Sequence, residues 1–153
     1  MRKQFKLSVA GPEHHQKALA SLMHDKNLYY SYSKKELLDE YDVDIDQPIY
    51  EYEIATCELQ IIHEPDNPYD PAALQVFADG VFIGYVPKGN LQNLSRISQM
   101  PGLRMQVEIY GGRYKTLEYD EETDIMGEML PKYFSVRTID DIYKAIMVFS
   151  WAA

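Results

Sequence analysis

Two apolar runs, ALQVFA (residues 73–78) and VFIGYV (81–86), are separated by only Asp79-Gly80. A two-residue Asp-Gly connection favours a type I′ turn, because both central residues need positive φ, and that turn obliges the flanking strands to pair with each other. Antiparallel sheet is therefore built in at the middle of the chain. Other segments read alike. Phe5, Leu7 and Val9 alternate with polar residues, predicting a half-buried strand over 4–10 that ends at Gly11-Pro12. YEYEI (50–54) alternates aromatic and acidic residues as an edge strand does, and ELQII (58–62) reads as a more buried one. LRMQVEIY and RYKTLEY flank Gly111-Gly112, which predicts a second hairpin.

Helices are fewer. In EHHQKALASLMHDK (13–26), Leu19, Leu22 and Met23 fall on one helical side. Ser33 and Glu36 have the spacing of a capping box, which predicts a helix over 34–41. Asn90 is placed to cap a short helix carrying Leu91, Leu94 and Ile97, stopped by Pro101-Gly102. Two readings stay open at the end of the chain. YFSVR (133–137) suits a strand, while Thr138 and Asp141 could cap a final helix bearing Ile142, Ile146 and Phe149. The fold class expected is α+β, mainly β: a small antiparallel β-barrel with peripheral helices.

With 153 residues, 46% of them apolar, the chain has material for a single domain over 1–153 with its own core. No apolar run approaches the roughly 18 residues of a membrane span, and MRKQFKLSVAG lacks the apolar centre of a signal peptide, so a cytoplasmic protein with no membrane partner is expected. Cys57 is the one cysteine, which excludes intrachain disulfides and reads as a buried structural thiol. A net charge of −9 argues against a large basic footprint. The charge is uneven: residues 26–58 carry a net −6 and 118–153 a net −5, whereas 59–117 are neutral.

The neutral region contains HEPDNPYDPAA (63–73), with prolines at 65, 68 and 71. Each proline biases its predecessor away from the α region, so Glu64, Asn67 and Asp70 are expected to be extended or turn-like and the loop preorganised. Asp70 can serve such a loop merely by bonding a nearby backbone N–H, or it can face a ligand beside Tyr69. Metal and enzyme chemistry find less support. A calcium loop starting at Asp66 would need glycine at its sixth position and glutamate at its twelfth, where Pro71 and Phe77 stand. His14 and His15 are adjacent, and His24 and His63 are isolated in sequence, so no zinc spacing exists. No metal, cofactor or catalytic residue is expected.

EPDNPYDPAALQV followed by GVFIGYVPKG resembles the signature of the HIRAN domain family, densely over residues 59–88 and weakly at VAG (9–11) and after residue 102. The resemblance implies an OB-like or SH3-like barrel that binds single-stranded DNA or a DNA 3′ end; since the sequence holds no Walker A or other motor motif, a stand-alone non-enzymatic module is expected. It implies that Tyr69 stacks on the terminal base, that Asp70 accepts a hydrogen bond from the 3′-hydroxyl, and that Tyr85 and Lys88 lie near the sugar-phosphate. Asn67 belongs to the same motif and to the same nucleic-acid-binding set. The chain departs from the family twice. Where the family carries a basic-aromatic pair, GPEHH has Glu13 and His14, leaving an imidazole for stacking. The family's short first connection is replaced by an acidic, partly helical insertion at about 12–53, which as an alternative function could dock a basic protein partner.

Overall fold

The computed structural model describes residues 1–40, 47–119 and 134–153. Part of each acidic segment, at 41–46 and 120–133, thus lies outside the described residues. The structure is mainly β and antiparallel, with nine strands and three helices among the described residues. The chain divides into two compact units: residues 1–23, 54–110 and 142–153 form the first, and residues 24–53 and 111–141 the second. The expected insertion is therefore shared, with 12–23 in one unit and 24–53 in the other.

The first unit contains β1 (Arg2–Ser8), α1 (Gln16–Ser21), β3 (Ala55–His63), β4 (Leu74–Ala78), β5 (Val81–Tyr85), α3 (Leu91–Ile97), β6 (Arg104–Gly111, except its last residue) and β9 (Tyr143–Ala152). Its strands follow the order β1-β9-β6-β3-β4-β5. Asp79 and Gly80 take φ of 47° and 81°, as the type I′ hairpin requires, and Ala78 stands opposite Val81. Asp79 does more than turn. β3 changes partner midway, pairing through Ala55–Glu58 with β6 and through Leu59–His63 with β4. At the switch, Asp79 Oδ1 accepts from Glu58 N at 2.7 Å and Asp79 N donates to Glu58 O at 3.0 Å, so backbone groups at the change of partner are not left unpaired.

β1 and β5 are the edges of this sheet. They are tied by one bridge, in which Ala10 N donates to Tyr85 O at 2.8 Å and Tyr85 N to Ala10 O at 3.0 Å. Gly84 makes that approach possible: a Cβ there would lie 2.5 Å from Ala10 O and 2.6 Å from Val9 Cγ1. Leu59, Val76, Ile83, Val107, Met147 and Phe149 form much of the core, joined by Leu19 of α1 and Ile97 of α3.

The second unit holds β2 (Ile49–Tyr50), β7 (Tyr114–Tyr119) and β8 (Phe134–Ile139) in the order β2-β7-β8, with α2 (Lys34–Glu40). The capping box forms in full: Glu36 N donates to Ser33 Oγ at 3.2 Å and Ser33 N to Glu36 Oε1 at 3.1 Å. Leu37, Ile49, Leu117 and Phe134 are its buried apolar residues among those described. Lys115 donates to Tyr30 O at 2.6 Å with its ammonium 4.5 Å from the centre of the Tyr30 ring.

Two local expectations change, and one open reading is decided. Gly111 and Gly112 both have positive φ, but β6 and β7 belong to different sheets, so the pair redirects the chain without closing a hairpin. Asn90 stands at the N-cap of α3, where its O accepts from Leu94 N at 3.0 Å, but its side chain does not cap; Nδ2 donates back to Pro87 O at 2.9 Å. The end of the chain is a strand. β9 pairs with β1 from Arg2↔Ala152 to Ser8↔Ile146, and Ala145, Met147 and Phe149 alternate into the core.

Candidate nucleic-acid interface

The loop from Glu64 to Ala73 joins β3 to β4 above the His63–Leu74 pair. Glu64 N donates to Ala73 O at 2.9 Å, and His63 Nε2 donates to Pro71 O at 2.7 Å, which pins both sides of its base. Inside, Asn67 Oδ1 accepts from Tyr69 N and from Asp70 N, both at 2.9 Å. Asp70 Oδ1 accepts from Ala72 N at 2.9 Å, and Asp70 O from Ala73 N at 3.0 Å. Side chains thus satisfy the backbone groups that the prolines keep out of regular structure.

Tyr69 stands out from this pinned loop at 92% exposure. Asp70 keeps Oδ2 without a hydrogen bond to a described residue, since only Oδ1 is engaged. Asp70, Ala72, Leu74, Pro87 and Lys88 line one pocket of about 160 Å3. Lys88 makes no ion pair among the described residues. The structure therefore brings Asp70 and Lys88 to a common hollow, with one carboxylate oxygen and one ammonium uncommitted.

Tyr85, on β5, is tied to the same loop but does not line that pocket. Its hydroxyl donates to Glu64 Oε2 at 3.2 Å and lies 3.4 Å from Asn67 Nδ2, which donates to Glu64 Oε1 at 2.9 Å. Partial burial, then the bond to Glu64, push the Tyr85 phenol above its ordinary pKa, so it remains a donor at neutral pH.

His14 lies elsewhere in contact terms: it is exposed, with Nε2 3.5 Å from Glu13 Oε1, and no described contact joins it to the loop. Its neighbour meets the aromatic residues instead. The His15 ring lies edge-on to Phe82 with centroids 4.7 Å apart, and Phe82 in turn contacts Phe77 and Tyr85. Burial, then the charge of His14, lower the His15 pKa. The sequence reading missed Glu64 as a partner of Tyr85, and His15 and Phe82 as neighbours. The alternation of Phe82 with Ile83 on β5 signalled an aromatic face opposite the core, but nothing local signalled which histidine would reach it.

Cys57 is buried, as expected, and burial followed by the carboxylate of Asp79 raises its pKa to about 11, so the thiol is protonated at neutral pH. No group of three or more potential metal ligands occurs, and no helix is long and apolar enough to cross a membrane, among the described residues. Comparison with protein-family models, with curated proteins and with solved structures finds no match to this chain.

Proposed function

We propose that this protein is a non-enzymatic module of the HIRAN type, with an OB-like or SH3-like barrel, that binds single-stranded DNA at a free 3′ end. The observation that carries the reading is the pairing of an exposed Tyr69 with the half-engaged carboxylate of Asp70 on a loop whose backbone is otherwise hydrogen-bonded. A tyrosine face stacks on any base, at about 1–3 kcal/mol per base. A carboxylate accepts from a hydroxyl and repels a phosphate. Lys88, on the same pocket, supplies a cation for the sugar-phosphate behind the terminal residue.

The barrel reading is supported by the bridge that ties β5 to Ala10 beyond β1, and by the change of partner along β3. The test is competition between an oligonucleotide with a free 3′-hydroxyl and the same strand with a 3′-phosphate. The hydroxyl end should win by about tenfold or more, the scale of a hydrogen bond to a charged group. Asp70→Asn should narrow that gap. Equal binding of the two ends by the wild-type protein would remove Asp70 from the role.

A second reading places a protein partner on the 24–53 segment, where Leu28 is 65% exposed within an acidic stretch of sequence. Saturable binding of a lysine- and arginine-rich peptide, abolished by Leu28→Ser, would favour it over end recognition.

A further inference from the structure

We infer that Glu64 is the positioning residue of the Tyr69-Asp70 loop, and that the Tyr85 hydroxyl serves this loop and not the ligand. The inference rests on the reading of that loop as an end-binding site. The Tyr69 ring is almost wholly exposed, so its direction is set by its own backbone and not by packing. That backbone is held by Asn67, whose Oδ1 takes the Tyr69 and Asp70 amides.

An asparagine amide has two orientations about its last bond. With Oδ1 committed to two N–H groups, Nδ2 must point the opposite way, and there Glu64 Oε1 receives it at 2.9 Å. Turning the amide over would set N–H against N–H on one side and a carbonyl against a carboxylate on the other. Glu64 therefore decides which way Asn67 faces, and through it where the Tyr69 platform points.

The second Glu64 oxygen accepts the Tyr85 hydroxyl, and the Tyr85 backbone exchanges two hydrogen bonds with Ala10. A continuous hydrogen-bonded series runs from the Ala10–Tyr85 bridge through Glu64 and Asn67 to the loop backbone. Glu64 has no salt bridge among the described residues, so these neutral donors are what satisfy it. The Tyr85 phenol is already used as one of them. Its ring edge can lie near a ligand, while its hydroxyl donates inward.

Exchanging donor and acceptor tests the arrangement. Asn67→Asp keeps an oxygen for the Tyr69 and Asp70 amides but sets a second carboxylate against Glu64. In the unliganded protein, hydrogen exchange at those two amides should accelerate by about tenfold or more, the scale of losing a bond to a charged group. Adding Glu64→Gln should reverse this, because the introduced amide donates to the new carboxylate and still accepts from Tyr85. Recovery of slow exchange in the double variant, together with recovery of affinity for a short oligothymidylate with a free 3′-hydroxyl, is the expected result. Glu64→Gln alone keeps one of the two acceptors and should fall between the double variant and Asn67→Asp.

If Asn67→Asp leaves both amides protected, or if the double variant exchanges as fast as the worse single one, Glu64 does not position the loop. Amide exchange is read without DNA. A wild-type protein that ignores the oligonucleotide therefore overturns the end-binding reading, while the role of Glu64 is still decided by exchange alone. Tyr85→Phe supplies a milder check: it should speed loop exchange modestly yet leave the preference for hydroxyl over phosphate intact. Loss of that preference would return the Tyr85 hydroxyl to the ligand.

Discussion

Tyr69 and His15 are two ring residues with opposite surroundings, and they make opposite predictions. Tyr69 is 92% exposed and held by nothing beyond its backbone, so Tyr69→Ala removes a stacking face without opening a cavity. Nucleic-acid binding should fall by about fivefold or more, taking a stacked base at about 1–3 kcal/mol, with the melting temperature essentially unchanged. A binding titration beside a thermal melt checks both halves. His15 is held against Phe82 with a lowered pKa, so between its folded pKa and the ordinary value near 6.5 the unfolded chain binds more protons than the folded one. Its neutral form is favoured in the fold, and stability should be fully present above about pH 6.5 and should decline as the pH falls through the folded pKa. His15→Gln should flatten the melting temperature against pH across that window, whereas His14→Gln should lessen the slope only in part, because burial is the larger cause of the lowered pKa.

At the scale of strands and turns, legibility followed the range of the forces involved. The Asp79-Gly80 hairpin and the Ser33–Glu36 capping box were readable because backbone demand and side-chain supply sit within four residues of each other. Gly111-Gly112 misled because positive φ fixes a bend but not the partner of the strand that leaves it. β9 was ambiguous because Val148 is buried on the face opposite Met147 and Phe149, which blurs the period-two pattern. Tyr69 and Asp70 were singled out by a local motif, but the Glu64–Tyr85 bond spans 21 residues and no local rule announces it. Gly84 also acts at long range. Its φ of 149° and the 2.5 Å approach that a Cβ would make to Ala10 O predict that Gly84→Ala pushes the Ala10–Tyr85 bridge apart. Overpacking of this kind costs about 1–3 kcal/mol, so urea unfolding should shift to a lower midpoint and the Tyr85 amide should lose protection against exchange. An unchanged midpoint would show that β5 tolerates displacement from Ala10.

Over the whole molecule, each sheet is assembled from segments distant in sequence. The six-strand sheet draws on both ends of the chain and its middle, and the three-strand sheet on the two stretches between. Such non-local pairing is slow to form, because loops must close before the strands gain partners. The antiparallel ladder of β1 and β9 brings Arg2 opposite Ala152, and Ala153 N donates to Met1 O at 3.2 Å. Residues 1 and 153 of this sequence are thus hydrogen-bonded neighbours in the fold. A peptide linker of a few residues between Met1 and Ala153 asks nothing new of the fold, while it deprives the denatured chain of every conformation in which its ends are apart. Loop-closure entropy sets that gain on the order of 5 kcal/mol for a ring of this size, and the circular protein should melt well above the linear one with the same end-binding affinity.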